Sequence, residues 1–198
     1  MVIDIDQLLA CGATYKKYKA GEIIFLEGSP CSYYYQLVSG QVKWSNVNDE
    51  GKEFIQSIID PGESFGELPL FDNLPYLADA AAVGDSLVIR LYKPVFLELI
   101  RETPELHFKF TRLMVEKVRY ESLLLRSISC DDPQKCIATL LSYLKEHNKH
   151  ICHDCNQLKL TRQQIAGMTG LRVETVIRAM RLMHANGSLH ITKGKVFC

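Results

Sequence analysis

From about Tyr15 to Tyr92 the chain runs in short apolar stretches broken by turn formers. Glu22–Leu26 is followed by Glu27-Gly-Ser-Pro30, Tyr33–Val38 by Ser39-Gly40, and Gln41–Trp44 begins the next run. Strands with turn signals every eight to twelve residues or so predict an all-β barrel or sandwich. After Lys93-Pro94 the glycines vanish until Gly167 and the period changes. Leu106, Phe110, Leu113, Met114, Val118, Leu125 and Ile128 recur at helical spacings, predicting one long helix over about 104–129. Such a length makes the stripe a candidate dimer seam, with a packed core helix as the alternative. Asp131-Asp132-Pro133 then breaks the pattern, and Pro after Asp is a helix start signal for a second helix over about 134–148. The break divides the chain into expected domains at 1–130 and 131–198.

Past that break the pattern carries chemistry. Thr161, with Gln164 three residues on, predicts a capping box ahead of Ile165, and Gly170 marks a sharp turn four residues after the small Ala166. A further helix follows from about Arg172. Val173, Val176, Ile177 and Met180 form its apolar side, which leaves Arg172, Glu174, Thr175, Arg178 and Arg181 largely on the other. Two helices around a tight turn, with an outward row of hydrogen-bonding groups, fit a helix-turn-helix whose second helix enters the major groove. A plain amphipathic helix pair is the alternative. Arg reads guanine O6 and N7, and Glu accepts from cytosine N4, so Glu174 and Arg178 can contact neighbouring base pairs, or simply pair with each other. The Thr175 hydroxyl beside them suits a base edge or a phosphate. Thr161, Arg162, Arg172 and Arg181 suit phosphates. Ile177 either turns inward or meets a thymine methyl. Downstream, Leu189–Phe197 alternates around Lys193-Gly194 as a small wing would, with Lys193 and Lys195 at the DNA backbone.

The charge distribution strengthens this reading. The whole chain balances 23 basic against 23 acidic residues with 47% hydrophobic content, which excludes disorder and fibrous repeats. Yet Asn156–Cys198 holds seven basic residues and one acidic residue, a net of +6, leaving −6 on the rest. Positive charge concentrated in the last fifth suits a polyanion-binding module. No Gly-x-Ser-x-Gly, P-loop or His-Glu-x-x-His motif points to an enzyme. The first residues lack the basic start and apolar stretch of a signal peptide, and no apolar run is long enough to span a bilayer, so a cytoplasmic protein with no membrane partner is expected.

The chain resembles the CRP/FNR family of bacterial transcription regulators. The resemblance rests on Gly21-Glu22, Glu27-Gly28, Leu37–Val42, Gly51, Pro61-Gly-Glu-Ser-Phe-Gly-Glu-Leu68 and the run Val173–Arg178, all in register. It implies an α+β fold: an N-terminal antiparallel β-roll of the cyclic-nucleotide-binding, double-stranded β-helix type, a long dimerisation helix and a C-terminal winged helix-turn-helix. It also implies a homodimer on a palindromic operator in double-stranded DNA, with RNA polymerase as a further partner. In cAMP-responsive members, Gly and Glu meet the ribose and an Arg followed by Ser or Thr meets the cyclic phosphate. Here Gly66, Glu67 and Leu68 are in place, but the Arg and hydroxyl positions fall on Leu77 and Ala78, and the adenine-contacting pair falls on Tyr120-Glu121. A buried phosphate without its cation is strongly disfavoured, so cAMP is not expected as a ligand and any small-molecule effector is unknown. The recognition run matches neither best-known branch: Val173 replaces an Arg of the cAMP branch, and Ile177 replaces a Ser of the oxygen-sensing branch.

Seven cysteines in an intracellular setting read as free thiols or ligands. Only Cys11 precedes the β-roll, too few for an iron–sulfur cluster of the oxygen-sensing kind, and His107 alone on the long helix does not suggest haem. His150-Ile-Cys152-His153-Asp-Cys155 leaves three readings open: inert surface thiols, a metal site on Cys152 and Cys155 with recruits such as Cys130 or Cys136, or a redox switch.

Overall fold

The computed structural model describes residues 2–128, 132–152 and 154–198, with backbone only at 126–128. The expected breaker residue Asp131, Cys130, His153 and the side chain of Ile128 lie outside the described residues. Two compact units divide within the long helix, as Met1–Val115 and Glu116–Cys198. The helix is therefore shared between units, whereas the sequence placed its whole length in the first.

The first unit opens with helix α1 (Ile5–Ala10), capped by the Asp4 carboxylate, which accepts from the Asp6 and Gln7 N–H groups. Eight strands follow: β1 (Thr14–Tyr18), β2 (Ile23–Phe25), β3 (Tyr33–Ser39), β4 (Val42–Val47), β5 (Glu53–Ile59), β6 (Ser64–Phe65), then, after the short helix α2 (Leu68–Asp72), β7 (Asp79–Ala82) and β8 (Ser86–Tyr92). They form two four-stranded antiparallel sheets, ordered β1-β8-β3-β6 and β2-β7-β4-β5. Gly40 makes the turn from β3 to β4 at φ 90°, where an added Cβ would lie 2.3 Å from Ser86 Oγ and 2.6 Å from the Asp85 carbonyl oxygen, so only glycine fits.

Strand β3 explains the Tyr-Tyr-Tyr run, because it is covered on both faces. Tyr35 and Leu37 join the roll interior with Phe25, Val42, Trp44, Phe65, Tyr76 and Val88. Tyr34 belongs instead to a second core under the helices, with Leu8, Ile89, Leu91, Phe96, Leu106 and Phe110. Gln36, fully buried, ties the N-terminal segment down. Its amide donates to the Ile3 carbonyl at 2.9 Å and accepts from the Ile3 N–H at 3.0 Å and the Tyr34 hydroxyl at 2.7 Å. The buried amide is thus fully used rather than left unpaired.

Helix α3 (Lys93–Glu102) ends at Thr103, and α4 (Pro104–Ile128) starts at once with Pro in its first turn. The helix is where the sequence located it, but the expected seam is divided. Leu106 and Phe110 are 4% and 2% exposed inside the helix-covered core, so neither is free to meet a partner, and Leu113 packs partly buried against the same cluster. Met114 is half-buried. Val118 and Leu125, 65% and 66% exposed, are open in the second unit, as Phe108 and Val115 are in the first. The physical reason is that the first turns of α4 close the chain's own sheet before the helix offers anything outward.

In the second unit, α5 (Pro133–Glu146) is capped by Asp132, whose carboxylate accepts from the Gln134 N–H, and it buries Cys136, Ile137, Leu140, Leu141 and Leu144. Helices α6 (Arg162–Thr169) and α7 (Val173–Ala185) pack on it and on each other, and β9 (His190–Thr192) and β10 (Lys195–Phe197) form a closing hairpin. Tyr120, in the later part of α4, packs at a tilt with its ring 4.8 Å from that of Tyr143 of α5, which in turn stacks at 4.1 Å on His147.

If Phe110 is core rather than seam, Phe110→Ala will destabilise the folded chain by about 3–5 kcal/mol, read as a lower urea midpoint at unchanged slope.

Candidate nucleic-acid interface and effector pocket

Local rules build the reading helix. The Thr161 Oγ1 accepts from the Gln164 N–H at 3.1 Å while the Gln164 side chain accepts from the Thr161 N–H at 2.8 Å, a complete capping box. Gly170 ends α6 at φ 70°, and α7 starts three residues later. Its inner side is Val176, Ala179, Met180 and Met183, all buried. Arg172, Glu174, Arg178 and Arg181 are exposed on the other side, and Thr175 is half-buried at its edge. Among the described residues no ion pair joins Glu174 to Arg178, so both keep their hydrogen-bonding capacity. Ile177 is 36% exposed and does not take the expected inward place. Smaller Ala179 occupies the inner row, because the buried stripe runs through 176, 179, 180 and 183 rather than 173, 176, 177 and 180.

Thr161 is exposed at the N-terminus of α6 and Arg162 is half-buried beside it. The wing is an antiparallel pair with Thr192 opposite Lys195 and His190 opposite Phe197. Lys193 and Gly194, both in the left-handed region at φ 48° and 79°, make the two-residue turn. Val196 is buried and anchors the hairpin, whereas Lys193 and Lys195 are exposed at its tip.

The pocket positions tell a different story. Gly66 has φ 68°, and an added Cβ there would sit 2.7 Å from the Phe25 ring and 3.0 Å from that of Tyr76. Those two rings stack at 3.7 Å between centroids, and Phe65 and Tyr35 complete the cluster, with Tyr35 5.6 Å from both Phe25 and Phe65. Aromatic side chains therefore fill the roll beside Gly66. Glu67, 1% exposed, accepts from the Ser64 hydroxyl at 2.5 Å. Burial, and secondarily the Glu67 charge, pushes the Tyr34 phenol well up. Leu77, at the expected phosphate-cation position, is 57% exposed, and its carbonyl accepts from Asn46 at 2.7 Å. Ala78 is fully buried in the roll core, while Leu68 is exposed on α2. Tyr76 is held neutral by burial, with the Cys31 thiol beside its hydroxyl. Burial likewise pushes the phenol of Tyr120 up, so this ring is an apolar packing element against Tyr143.

Residues 15–103 match the cyclic nucleotide-binding domain, and residues 134–197 match the Crp-like helix-turn-helix domain. The chain belongs to the CRP/FNR family. It is 27% identical over 180 residues to the cyclic AMP receptor protein of Thermus thermophilus, covering 90% of this chain and 81% of that one. It is 28% identical over 185 residues to the transcriptional activator protein Anr of Pseudomonas aeruginosa, covering 92% and 74%. The structure of FixK2 from Bradyrhizobium japonicum shares the fold at a TM-score of 0.78 and 22% identity, covering 93% of this chain and 91% of that one.

As a CRP/FNR member the chain is a transcription regulator with a DNA-binding helix-turn-helix, of a family of regulators rather than enzymes. No helix of the described residues is long and apolar enough to cross a membrane. The CRP/FNR frame collects the expected base-reading residues on one helix and the expected phosphate contacts on α6, α7 and the wing. It does not collect the expected pocket residues into one lining, since Leu77 and Leu68 face solvent while Ala78 is interior. Sequence reasoning missed the aromatic cluster of Phe25, Tyr35, Phe65 and Tyr76. Its only signal was the density of aromatic residues in strands, which ordinary packing also explains.

Proposed function

We propose that the protein is a homodimeric, sequence-specific DNA-binding regulator that reads a two-fold-symmetric operator and is not switched by cAMP, with RNA polymerase as the partner through which transcription changes. The observation that carries this reading is the outward side of α7. Glu174 and Arg178 stand one helical turn apart, exposed and not joined to each other, on a helix whose inner side is locked by Val176, Met180 and Met183. Arg178 is assigned to a guanine edge and Glu174 to a cytosine amino group, with Thr175 beside them, which makes a G·C step in each half-site. Thr161, Arg162, Arg172, Arg181, Lys193 and Lys195 take phosphates and set the register.

Dimer formation is supported by α4. Phe108, Val115, Val118 and Leu125 follow each other at intervals of seven, three and seven, the spacing of a two-stranded seam, with Thr111 and Ser122 in the remaining positions. Two copies joined there would set their recognition helices about 34 Å apart, one turn of DNA. Against cAMP stand the aromatic filling beside Gly66 and the lack of a cation at Leu77 and Ala78. A cyclic phosphate would lose its charge-assisted partner, worth roughly a hundredfold or more in affinity.

Selection of bound genomic fragments by the purified protein identifies the operator on which this reading is tested. Arg178→Ala is expected to cost about 1–3 kcal/mol on that operator and to relax preference at one base pair, whereas Lys195→Ala weakens all sequences alike and lowers the salt slope by about one. Equal losses for Arg178→Ala on operator and random duplex would refute the assignment. Calorimetric titration with cAMP should show no low-micromolar binding. Val118→Asp should shift the sedimenting species from dimer to monomer while leaving the unfolding midpoint of the β-roll in place.

A further inference from the structure

The Cys-x-x-Cys pair lies in the loop between α5 and α6. The Cys152 N–H donates to the Gln157 carbonyl at 2.8 Å, and the Asn156 N–H donates back to the Cys152 carbonyl at 2.8 Å. With Asn156 in the left-handed region at φ 54°, these bonds bring the Cys152 backbone against Asn156 and Gln157, next in the chain to Cys155. The Cys152 sulfur receives hydrogen bonds from the Cys155 thiol and from the backbone N–H groups of Cys155 and Asp154. That cluster of donors holds the Cys152 thiol below its ordinary range, which raises the thiolate fraction. Cys155 is exposed and Cys152 partly so. Of the other described thiols, Cys136 is buried, Cys11 and Cys31 are partly exposed like Cys152, and burial pushes Cys198 up. Among the described residues no group of three or more His, Cys, Asp or Glu side chains is gathered for a metal.

The far side of the same turn is built into the wing. Gln157 bridges Phe197, the Cys198 N–H donates to the Asn156 carbonyl at 3.1 Å, and the Leu158 N–H donates to the Val196 carbonyl at 2.9 Å. A change in the turn therefore reaches β10 through backbone hydrogen bonds.

We propose that Cys152 and Cys155 form a dithiol modification site, oxidised by low-molecular-weight disulfides to an intramolecular disulfide whose closure loosens the adjoining β10 strand. The Cys152 thiolate attacks one sulfur of the small disulfide, forming a mixed disulfide and expelling one thiolate. The Cys155 sulfur, once deprotonated, attacks the Cys152 sulfur and expels the second. One protein S–S bond forms, two protein S–H bonds are lost, and the small disulfide is reduced to two thiols that take up both protons. An S–S bond of about 2.05 Å replaces the hydrogen bond between the two sulfurs and breaks up the donor set around Cys152. The effect on operator binding rests on the DNA-reading proposal above, because Lys195 begins the strand concerned, but the site itself does not.

The test uses the full chain, fully reduced and then incubated with oxidised glutathione, and it involves no DNA. Expected are the loss of two alkylatable thiols, a mapped link between Cys152 and Cys155, and faster amide exchange over Lys195–Cys198. In Cys155→Ser a single glutathione adduct should remain on Cys152 and the wing amides should exchange as in the reduced chain. Full alkylation of both thiols, a link from Cys152 to Cys198 in place of Cys155, or wing exchange unchanged after the link has formed would each overturn the proposal. Failure of operator binding would leave all of these readouts standing, so the two readings fail separately.

Discussion

The packing of Phe110 against Phe96, with Tyr34 stacked behind, is the contact on which the arrangement of α4 depends. Phe96 and Phe110 meet edge to face at 5.3 Å, and Tyr34 stacks on Phe96 at 4.8 Å. Aromatic pairs of this kind add about 0.5–1.5 kcal/mol each beyond the area they bury. Together with Leu106 they fix the rotation of the helix about its own axis, since a helix with one side sealed cannot turn. Phe108 and Val115 are then left exposed. The same helix serves as lid to its own sheet and as bearer of an apolar stripe, because 3.6 residues per turn separate the two rows.

The interior of the roll follows a similar logic of occupied space. A pocket that receives a charged nucleotide needs room and a cation. Here Phe25 and Tyr76 lie face to face beside Gly66, and the glycine is required by those rings as well as by its positive φ. Glu67 stays buried but is held by Ser64. The family's framework is retained, with Phe25, Tyr35, Phe65 and Tyr76 packed together inside it. One role of the roll is to seal the core under the first turns of α4.

In the second unit, the buried side of α7 decides what the exposed side can offer. Val176, Ala179, Met180 and Met183 lock the helix, so Glu174, Arg178 and Arg181 are left exposed on its other side. Exposed side chains of this kind carry little of the stability, and their contribution lies in what they can bind.

Local signals were sufficient wherever a residue acts on its own neighbours in the chain. The Thr161–Gln164 capping box, the Asp132-Pro133 helix start, the Lys193-Gly194 turn and the extent of the long helix were all legible, since each depends on residues a few positions apart. The net charge of the last fifth of the chain was legible for the same reason, being a matter of counting. Tertiary structure alone decided which apolar residues face inward. Leu106 and Val118 belong to one periodic series in the sequence, yet one is sealed and the other open, and Ile177 yields its inward place to Ala179. It also decided that Phe25 and Tyr76, fifty-one positions apart, stack face to face beside Gly66. Periodicity states that a side is apolar, but burial depends on what the rest of the chain brings against it, and that is a property of distant contacts.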